Sequence, residues 1–364
     1  MAIVASGAVS FSDLRTEFSG AGAISFSDLY RGGTLVKGNA ANNTATNLAA
    51  SVPTSGTINF TNFRSTAKGW RKTFASGATN QNASTIFGSD YGVDYPKEIV
   101  INSGVTLGAT STSEEALEIS TGGIGSITVT NNGTLQGAGG AAGAAGGDAF
   151  EAFVACTFVN NGTIQAGGGG GGQGGQGGNG SVSSTTRQPS SGWYYNLFSW
   201  NWQVVSSTAK IRIYWNNSSS SINNNANNQG NTTSWTTGGW TYLRGSRRYA
   251  DNDSQQYIYN VARQQTSTSS TSGGSGGSGG RGQGYNQTVA NGSSGSSGGT
   301  NAGNGGSGGN GGGFGASGSN GNSGANGNAS NGASGGAGAA GGKYIRGLSF
   351  VTFTNNGNVA GGTA

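Results

Sequence analysis

The chain has 364 residues and a formal net charge of +5, and 75 of its residues are glycine whereas only 9% are charged. Its 3 prolines are too few for collagen, which combines abundant proline with a glycine at every third position. There is no histidine and only 1 cysteine, which excludes the commonest general base, an internal disulfide and a thiolate metal site.

We therefore expect no cofactor, no metal and no ordinary enzyme. The first residues, Met1–Gly7, have neither the basic region nor the apolar run of a signal peptide. No segment approaches the roughly 20 consecutive apolar residues of a membrane-spanning helix. We expect no membrane insertion, and release by cell lysis if the protein acts outside a cell.

Three related segments lie near the N-terminus: Ala8–Leu14, Ala23–Leu29 and Thr57–Phe63. Each has an apolar residue, a small polar residue, Phe, and then Ser or Thr followed by Asp or Asn. Ser, Thr, Asp and Asn cap short helices or close turns. The pattern predicts three small packing units of one domain, or a docking module that attaches the chain to a larger assembly, and the two interpretations are compatible.

A second repeat has the copies Val100–Leu107, Val129–Leu135, Val159–Ile164 and Phe353–Val359. Each copy joins a short β-branched run to an Asn-Asn-Gly or Asn-Ser-Gly corner, and Asn and Gly tolerate the positive φ of a tight turn. The spacing of about 30 residues is typical of a stacked repeat or of hairpins placed side by side. We predict a β platform of residues 69–172, completed by 343–364 after a long excursion.

The excursion contains glycine runs of similar length. They occupy 137–147, 167–180, 272–284, 303–313, 315–328 and 332–342. Several keep glycine at every third position, which is the repeat of the polyproline-II helix. The alternative is a flexible linker, which has no reason to keep its glycines in phase. We therefore predict an all-β protein with a polyglycine-II helix bundle, formed by residues 173–182 and 271–342.

Residues 183–270 form a different segment inside the excursion. It holds most of the tryptophans and a net charge of +5, equal to that of the whole chain. The alternating sequences Lys210–Trp215 and Gln256–Val261 predict strands, and hence a small β-rich head. Aromatic rings stack on sugars and Arg binds phosphate or carboxylate, so the head suits an anionic glycan. The alternative is that the aromatics form the core of a small domain.

The receptor-binding candidates in this head are Trp193, Tyr194, Tyr195, Trp200, Trp202, Trp240, Arg244, Arg247, Arg248 and Tyr249.

Other functions are poorly supported by the residues. Asp251 and Asp253 are the only acidic pair in the head, and their Ala-Asp-Asn-Asp-Ser context is typical of a turn. The neighbours Glu114 and Glu115 cannot face each other as paired catalytic carboxylates would. The positive charge is spread too thinly for a nucleic-acid site. We expect no catalysis and no nucleic-acid partner.

The N-terminal segments Ala23–Leu29, Tyr30–Gly33 and Pro53–Arg64 resemble a module common in structural proteins of tailed bacteriophages, especially fibre and tail-tip proteins. The glycine runs are similar to those of the receptor-binding adhesins at the tips of T-even-type long tail fibres. This resemblance implies a layered polyglycine-II bundle whose loops contact host receptors. The chain departs from that pattern because segment 183–270 is far larger than the other loops, and no individual binding residue is carried over.

These observations predict a phage tail fibre or tail-tip protein that binds a host surface glycan or outer-membrane protein. Residues 1–68 would attach it to other tail proteins in the virion, after assembly in the host cytoplasm. A homotrimer is compatible with a fibre, although the chain has no coiled-coil heptads. The alternatives are a purely structural decoration protein of the tail or capsid, and a glycine-bundle ice-binding or surface protein.

Overall fold

The computed structural model describes residues 3–18, 20–38, 45–189, 193–195, 201–204, 213–214, 234–237, 239–251 and 256–364. The chain forms two compact units, one of Met1–Gly180 with Ser272–Ala364 and the other of Ser181–Thr271. Strands greatly outnumber the short helices, which confirms the mostly β class. No helix in these described ranges has the length and apolar character needed to cross a bilayer.

The helices are α1 (Phe11–Glu17), α2 (Phe26–Leu29) and α3 (Ala83–Phe87), with 3-10 turns η1 (Phe60–Phe63), η2 (Gly88–Asp90) and η3 (Leu348–Phe350). The strands before the glycine excursion are β1 (Thr46–Asn47), β2 (Trp70–Phe74), β3 (Ala78–Thr79), β4 (Gln81–Asn82), β5 (Lys97–Ile101), β6 (Thr106–Gly108), β7 (Leu117–Ile119), β8 (Ile127–Asn131), β9 (Thr134–Gln136), β10 (Phe150–Ala152), β11 (Cys156–Asn160) and β12 (Thr163–Gln165). The next are β13 (Gly180–Pro189), β14 (Trp193–Tyr195), β15 (Asn201–Val204), β16 (Ile213–Tyr214), β17 (Ser234–Thr237), β18 (Trp240–Asp251) and β19 (Gln256–Thr271). The C-terminal strands are β20 (Lys343–Ile345), β21 (Val351–Asn355), β22 (Asn358–Ala360) and β23 (Gly362–Thr363).

Each N-terminal repeat forms a short helix or 3-10 turn, and its cap lies two positions before the Ser or Thr of the Ser/Thr–Asp/Asn pair. In α1 the N-cap is Ser10, whose Oγ accepts from the Asp13 N–H at 3.2 Å. The Asp13 carboxylate accepts from the Ser10 N–H at 2.8 Å, which completes a capping box. The equivalent side-chain-to-backbone pairs are Asp28–Ser25 and Asn62–Asn59. The small polar residue before Phe is therefore the cap, and the Asp or Asn is its partner.

The last residues of the three repeats are buried together. Leu14, Leu29 and Phe63 have no exposed surface and pack in one cluster with residues such as Phe18 and Val36. This cluster is separate from the main core of the first unit. Residues 3–66 therefore have a small hydrophobic core of their own, as expected for packing units of one module.

The second repeat forms a parallel β stack, not a row of hairpins. One sheet has the order β1-β2-β5-β8-β11-β21, the second β22-β12-β9-β6-β3 and the third β10-β7-β4. All pairs from β2 onwards in these sheets are parallel, so successive turns of the chain lie on top of one another. Apolar side chains such as Ile99, Val129 and Phe158 fill the interior.

The Asn-Ser-Gly corner has the expected positive φ at Gly104, whereas the three Asn-Asn-Gly corners are held by stacking and not by positive φ. Neither Asn160 nor Gly162 has positive φ. Asn160 Oδ1 instead accepts from the Gly162 N–H at 3.3 Å and from Asn131 Nδ2 at 2.8 Å. A Cβ at Gly162 would overlap the carbonyl of Gly133 in the adjacent turn. Glycine is therefore required because neighbouring corners approach closely, and asparagine because its amide joins them.

The glycine-rich residues hydrogen-bond between neighbouring extended runs at every third position. Residues 166–179, named the central run, donate from Gly168, Gly171, Gly174 and Gly177 to one neighbour, with N···O distances of 2.8 Å. The same run bonds to residues 302–313, 316–327 and 331–342 and to the short hairpin 137–147. Glycine is obligatory inside this arrangement because an added Cβ, as at Gly171, would overlap a neighbouring carbonyl.

The second unit is one antiparallel sheet in the described strands. Its order is β16-β15-β14-β19-β18-β17, and β13 also pairs with β19. Strand β19 therefore lies between β14 and β18. The predicted strand Gln256–Val261 lies within β19, whereas only Ile213 and Tyr214 of the predicted strand Lys210–Trp215 lie in the described ranges.

Candidate attachment and receptor-binding surfaces

Three phenylalanines from equivalent positions of the N-terminal repeats lie together. Phe11, Phe26 and Phe60 are the first residues of α1, α2 and η1. Ring centroids are 5.0 Å apart for Phe11 and Phe26 and 5.1 Å apart for Phe11 and Phe60. Phe11 is 38% and Phe26 41% exposed. Clustered exposed aromatics mark protein contact sites, and we name this surface the Phe triad.

The capping boxes place the Phe triad. Hydrogen bonds from the side chain and backbone of Ser10 lower the pKa of Asp13, and bonds from Ser25 do the same for Asp28. Each cap fixes the start of its helix, and the next residue is the phenylalanine. The repeats are visible in the sequence, but the contact between their phenylalanines was not predicted. The signal available was that the apolar residue after each cap is Phe in all three copies.

The predicted receptor-binding residues lie on three strands of the second unit. They are Trp193, Tyr194 and Tyr195 on β14, Trp202 on β15, and Trp240, Arg244, Arg247, Arg248 and Tyr249 on β18. Trp200 lies outside the described residues.

Strand register relates several of these positions. Tyr195 is opposite Trp202 on β15 and opposite Tyr257 on β19. On the other side of β19, Arg247 is opposite Tyr259 and Arg244 is opposite Val261. The pairing of β18 with β19 shifts register between Arg244 and Arg247 and again between Arg247 and Tyr249.

A carboxyl cluster lies where the chain returns from the glycine excursion to the β stack. Glu118 and Glu151 are opposite each other on the parallel strands β7 and β10. The Arg346 guanidinium is 2.5 Å from the Asp148 carboxylate and 3.6 Å from that of Glu151. Burial, with the nearby Glu151, raises the pKa of Glu115 to about 7. Sequence analysis missed this cluster because its members are distant along the chain.

The cluster does not form a metal site. Within the described ranges, no group of three or more His, Cys, Asp or Glu side chains is arranged to hold a metal ion. The cluster instead places one guanidinium among several carboxyl groups. Because the pKa of Glu115 is raised to about 7, the charge of the cluster changes with pH near neutrality.

Two other buried ionisable groups are structural. The Lys97 ammonium donates to the carbonyls of Val93, Tyr95 and Ile124 at 2.7, 3.0 and 2.6 Å, and burial lowers its pKa to about 8. Burial raises the pKa of the Cys156 thiol to about 11, which keeps it protonated and unreactive at neutral pH. Lys97 therefore satisfies carbonyls of two loops, and Cys156 packs in the core.

The comparisons with known proteins identify the family of the chain. The profile of the family described as phage tail fibre adhesin Gp38 matches residues 69–255, which is about half of the chain. No curated protein matches. Among solved structures, the crystal structure of the gp37-gp38 adhesin tip complex of the bacteriophage S16 long tail fiber matches with 17% identity and a TM-score of 0.32, over 83% of this chain and 84% of that one. On the extent of the family match, the chain belongs to the phage tail fibre adhesin family Gp38.

Proposed function

We propose that this receptor-binding tail fibre protein separates attachment from recognition, using residues 1–68 for the first and 183–270 for the second. Family membership makes the chain a component of the virion tail. The observation that carries the division is that the exposed Phe11 and Phe26 lie together in the N-terminal module, which has its own core. The family match begins only after that module, at residue 69.

Attachment is assigned to the Phe triad. The exposed Phe11 and Phe26, beside the partly buried Phe60 on a capped scaffold, lose their contact with water when they pack against an apolar surface. The partner is another tail protein, because the rest of the tail is what an adhesin must join. A homotrimer stays a proposal, and mass measurement of the purified full chain in solution tests it.

The glycine-rich region is assigned to a rigid polyglycine-II bundle. Hydrogen bonds of 2.7 to 3.0 Å recur at every third residue between runs, which is the repeat of that helix. The runs carry glycine where a Cβ would overlap a neighbouring backbone. The bundle, drawn from 173–182 and 271–342 with the adjoining glycines, holds its loops at a fixed distance from the β platform of 69–172 and 343–364.

We assign recognition to the inserted segment and to the end of the bundle that carries it. At this end the chain enters the segment after Gly180 and returns at Ser272. Loops 299–302 and 327–331 lie at that same end, because Gly303 donates to Gly178 and Ala329 to Asn179. The receptor is a host surface glycan or an outer-membrane protein, and the Arg residues of β18 favour an anionic glycan. Several copies per particle would raise the affinity.

The work of the chain is adhesion without a catalytic step. We infer assembly into the tail in the host cytoplasm and release with the virion by lysis. The test is binding of fluorescent full-length protein to susceptible bacteria. The triple variant W240A/R244A/R247A should lose at least ten-fold in affinity, whereas R281A, which removes an exposed Arg from the bundle, should bind as wild type. Equal binding by the triple variant would contradict the assignment of recognition to β18.

A further inference from the structure

One face of the central run is covered along only part of its length. Gly167 and Gly170 donate to the hairpin 137–147, at N···O distances of 2.8 and 2.9 Å. The next two positions in the same phase are Gln173 and Gln176, and no described residue accepts a hydrogen bond from their N–H groups. Both side chains are exposed. The hairpin ends where the sequence changes from glycine triplets to Gln-Gly-Gly triplets.

The two neighbouring runs repeat this interruption. On one side Gly282 donates to the hairpin at 2.9 Å, whereas Gly279 and Gly276, next in phase, meet no acceptor in the described part of the chain. On the other side the Ala340 carbonyl accepts from the hairpin at 3.0 Å, and the carbonyl of Ala337, three residues earlier, accepts no such bond from any described residue.

On this face, hydrogen bonding of the central run to its neighbours resumes beyond the gap, at Asn179. Asn179 donates its N–H to Ser330 Oγ at 2.8 Å and accepts from the Gly273 N–H at 3.2 Å. A groove therefore runs from the hairpin tip to Asn179, named here the amide groove. At the rise of ~3.1 Å per residue of a polyproline-II-type helix, the groove is about 25 Å long. At the same rise, Gln173 and Gln176 are about 9 Å apart along its floor.

Another glycine run cannot fill the amide groove. A Cβ at Gly167 or Gly170 would overlap the hairpin carbonyls of Ala138 and Ala141. Gln173 and Gln176 have that Cβ in the same phase, so a backbone cannot approach their run as closely as the hairpin does. The ligand must instead be held by the amide side chains, with the N–H groups of the wall beside them.

The chemistry of the groove favours hydroxyl groups. Glutamine amides both donate and accept hydrogen bonds, and the walls supply donors on one side and carbonyls on the other. No charged residue occurs in 166–180, 272–280 or 331–342. We propose that the amide groove binds an extended, uncharged stretch of a host surface glycan. This rests on the proposed receptor-binding function and adds a second contact outside residues 183–270.

The test uses the full-length protein on a printed array of bacterial surface polysaccharides, with neutral and acidic members. Wild type should bind at least one neutral glycan, and Q173A/Q176A should weaken that binding at least ten-fold. Q173G/Q176G, which continues the glycine triplets of the central run, should weaken glycan binding equally. Agreement between the two double variants shows that loss of the amides, and not a folding defect of the alanine variant, weakens binding. N291A, which removes an exposed amide from another run, should bind as wild type.

Three results overturn the proposal: no neutral glycan bound by wild type, unchanged binding in both double variants, or preference for a Gly-Ser peptide offered in the same assay. The outcome is separable from that of the proposed function. If the groove is not a site but recognition by 183–270 is right, the double variants still bind susceptible cells as wild type does. If recognition itself is wrong, W240A/R244A/R247A also leaves cell binding unchanged.

Discussion

Asn131 Nδ2 donates to Asn160 Oδ1 across 2.8 Å between adjacent turns of the β stack. Asn160 Nδ2 in turn donates to Asn355 Oδ1 at 2.7 Å, although the two residues are separated by the whole glycine excursion. This ladder of amides, buried at Asn131 and Asn160, connects the strands before the excursion to the strand after it. It fixes the register of the returning chain, because a shifted register would leave buried amides unpaired.

Replacing Asn160 by Ala should therefore destabilise the β stack. The substitution removes the acceptor of the Gly162 N–H and of one Asn131 Nδ2 hydrogen inside the stack, at a cost of about 1–3 kcal/mol in the free energy of unfolding. The matched control is N161A, because Asn161 forms the outer ladder with Asn132 and Asn356 on the exposed side. Chemical denaturation of both variants checks this, and an equal effect of the two would contradict the role of the inner ladder.

The close packing of the glycine runs predicts a sharp difference between two alanine substitutions. G171A should lose about 3 kcal/mol or more, because the new Cβ overlaps the Gly309 carbonyl. G313A should change stability by less than about 0.5 kcal/mol, because its Cβ meets only the Gln283 side chain, at 3.6 Å, and its φ is not positive. Thermal unfolding of the full chain measures both. Equal tolerance of the two would mean that the runs are not packed backbone to backbone.

The carboxyl cluster predicts that stability falls as pH rises from about 4.5 to about 7. The pKa of Glu115 is raised from 4.5 to about 7 in the folded chain, so between these values the folded state binds more protons than the unfolded state. The stabilisation is complete below the unfolded value and lost as pH passes the folded one. Denaturation midpoints at pH 5 and pH 8 should differ less in E115Q than in wild type. The exposed neighbour provides the control E114Q, which should keep the wild-type difference.

Features that depend on a local sequence pattern could be predicted from the sequence, whereas contacts between residues distant along the chain could not. The phase of glycines such as Gly318, Gly321 and Gly324 follows from sequence alone, because packing of a threefold helix requires glycine at a fixed interval. The return of the chain at Phe353 was likewise visible, because it repeats the Asn-Asn-Gly corner. The positive φ expected at these corners is present at Gly104 in the Asn-Ser-Gly copy but absent from the three Asn-Asn-Gly copies. There the constraint is contact between turns of the stack, and a sequence pattern does not reveal which residues become neighbours.

The same contrast between local patterns and distant contacts holds for the functional surfaces. The capped repeats were evident, but the meeting of Phe11 with Phe60 depends on how the repeats fold together. Glu115 and Glu151 come together only because parallel strands stack, which no local spacing indicates. For the receptor-binding candidates, the sheet order brings β14 and β18 to either side of β19, and their role stays a prediction.

The Phe triad predicts a variant that folds but does not attach. F11S/F26S should change the free energy of unfolding by less than about 1 kcal/mol, because both side chains are exposed and lie outside the buried cluster of the module. A buried residue in the middle of the helix that Phe11 begins gives the contrast: L14A should lose about 2–5 kcal/mol. Denaturation of the purified full-length variants checks the two values. A large loss in F11S/F26S would make the triad part of the core and remove the case for a docking surface.

The most direct test of the division between attachment and recognition is to measure adhesin content and adsorption in the same phage particles. Phage carrying F11S/F26S should contain little adhesin, measured by quantitative mass spectrometry of purified virions. Phage carrying W240A/R244A/R247A should contain the wild-type amount but adsorb at least ten-fold more slowly to susceptible bacteria. Full adhesin content with the first variant, or normal adsorption with the second, would contradict the account.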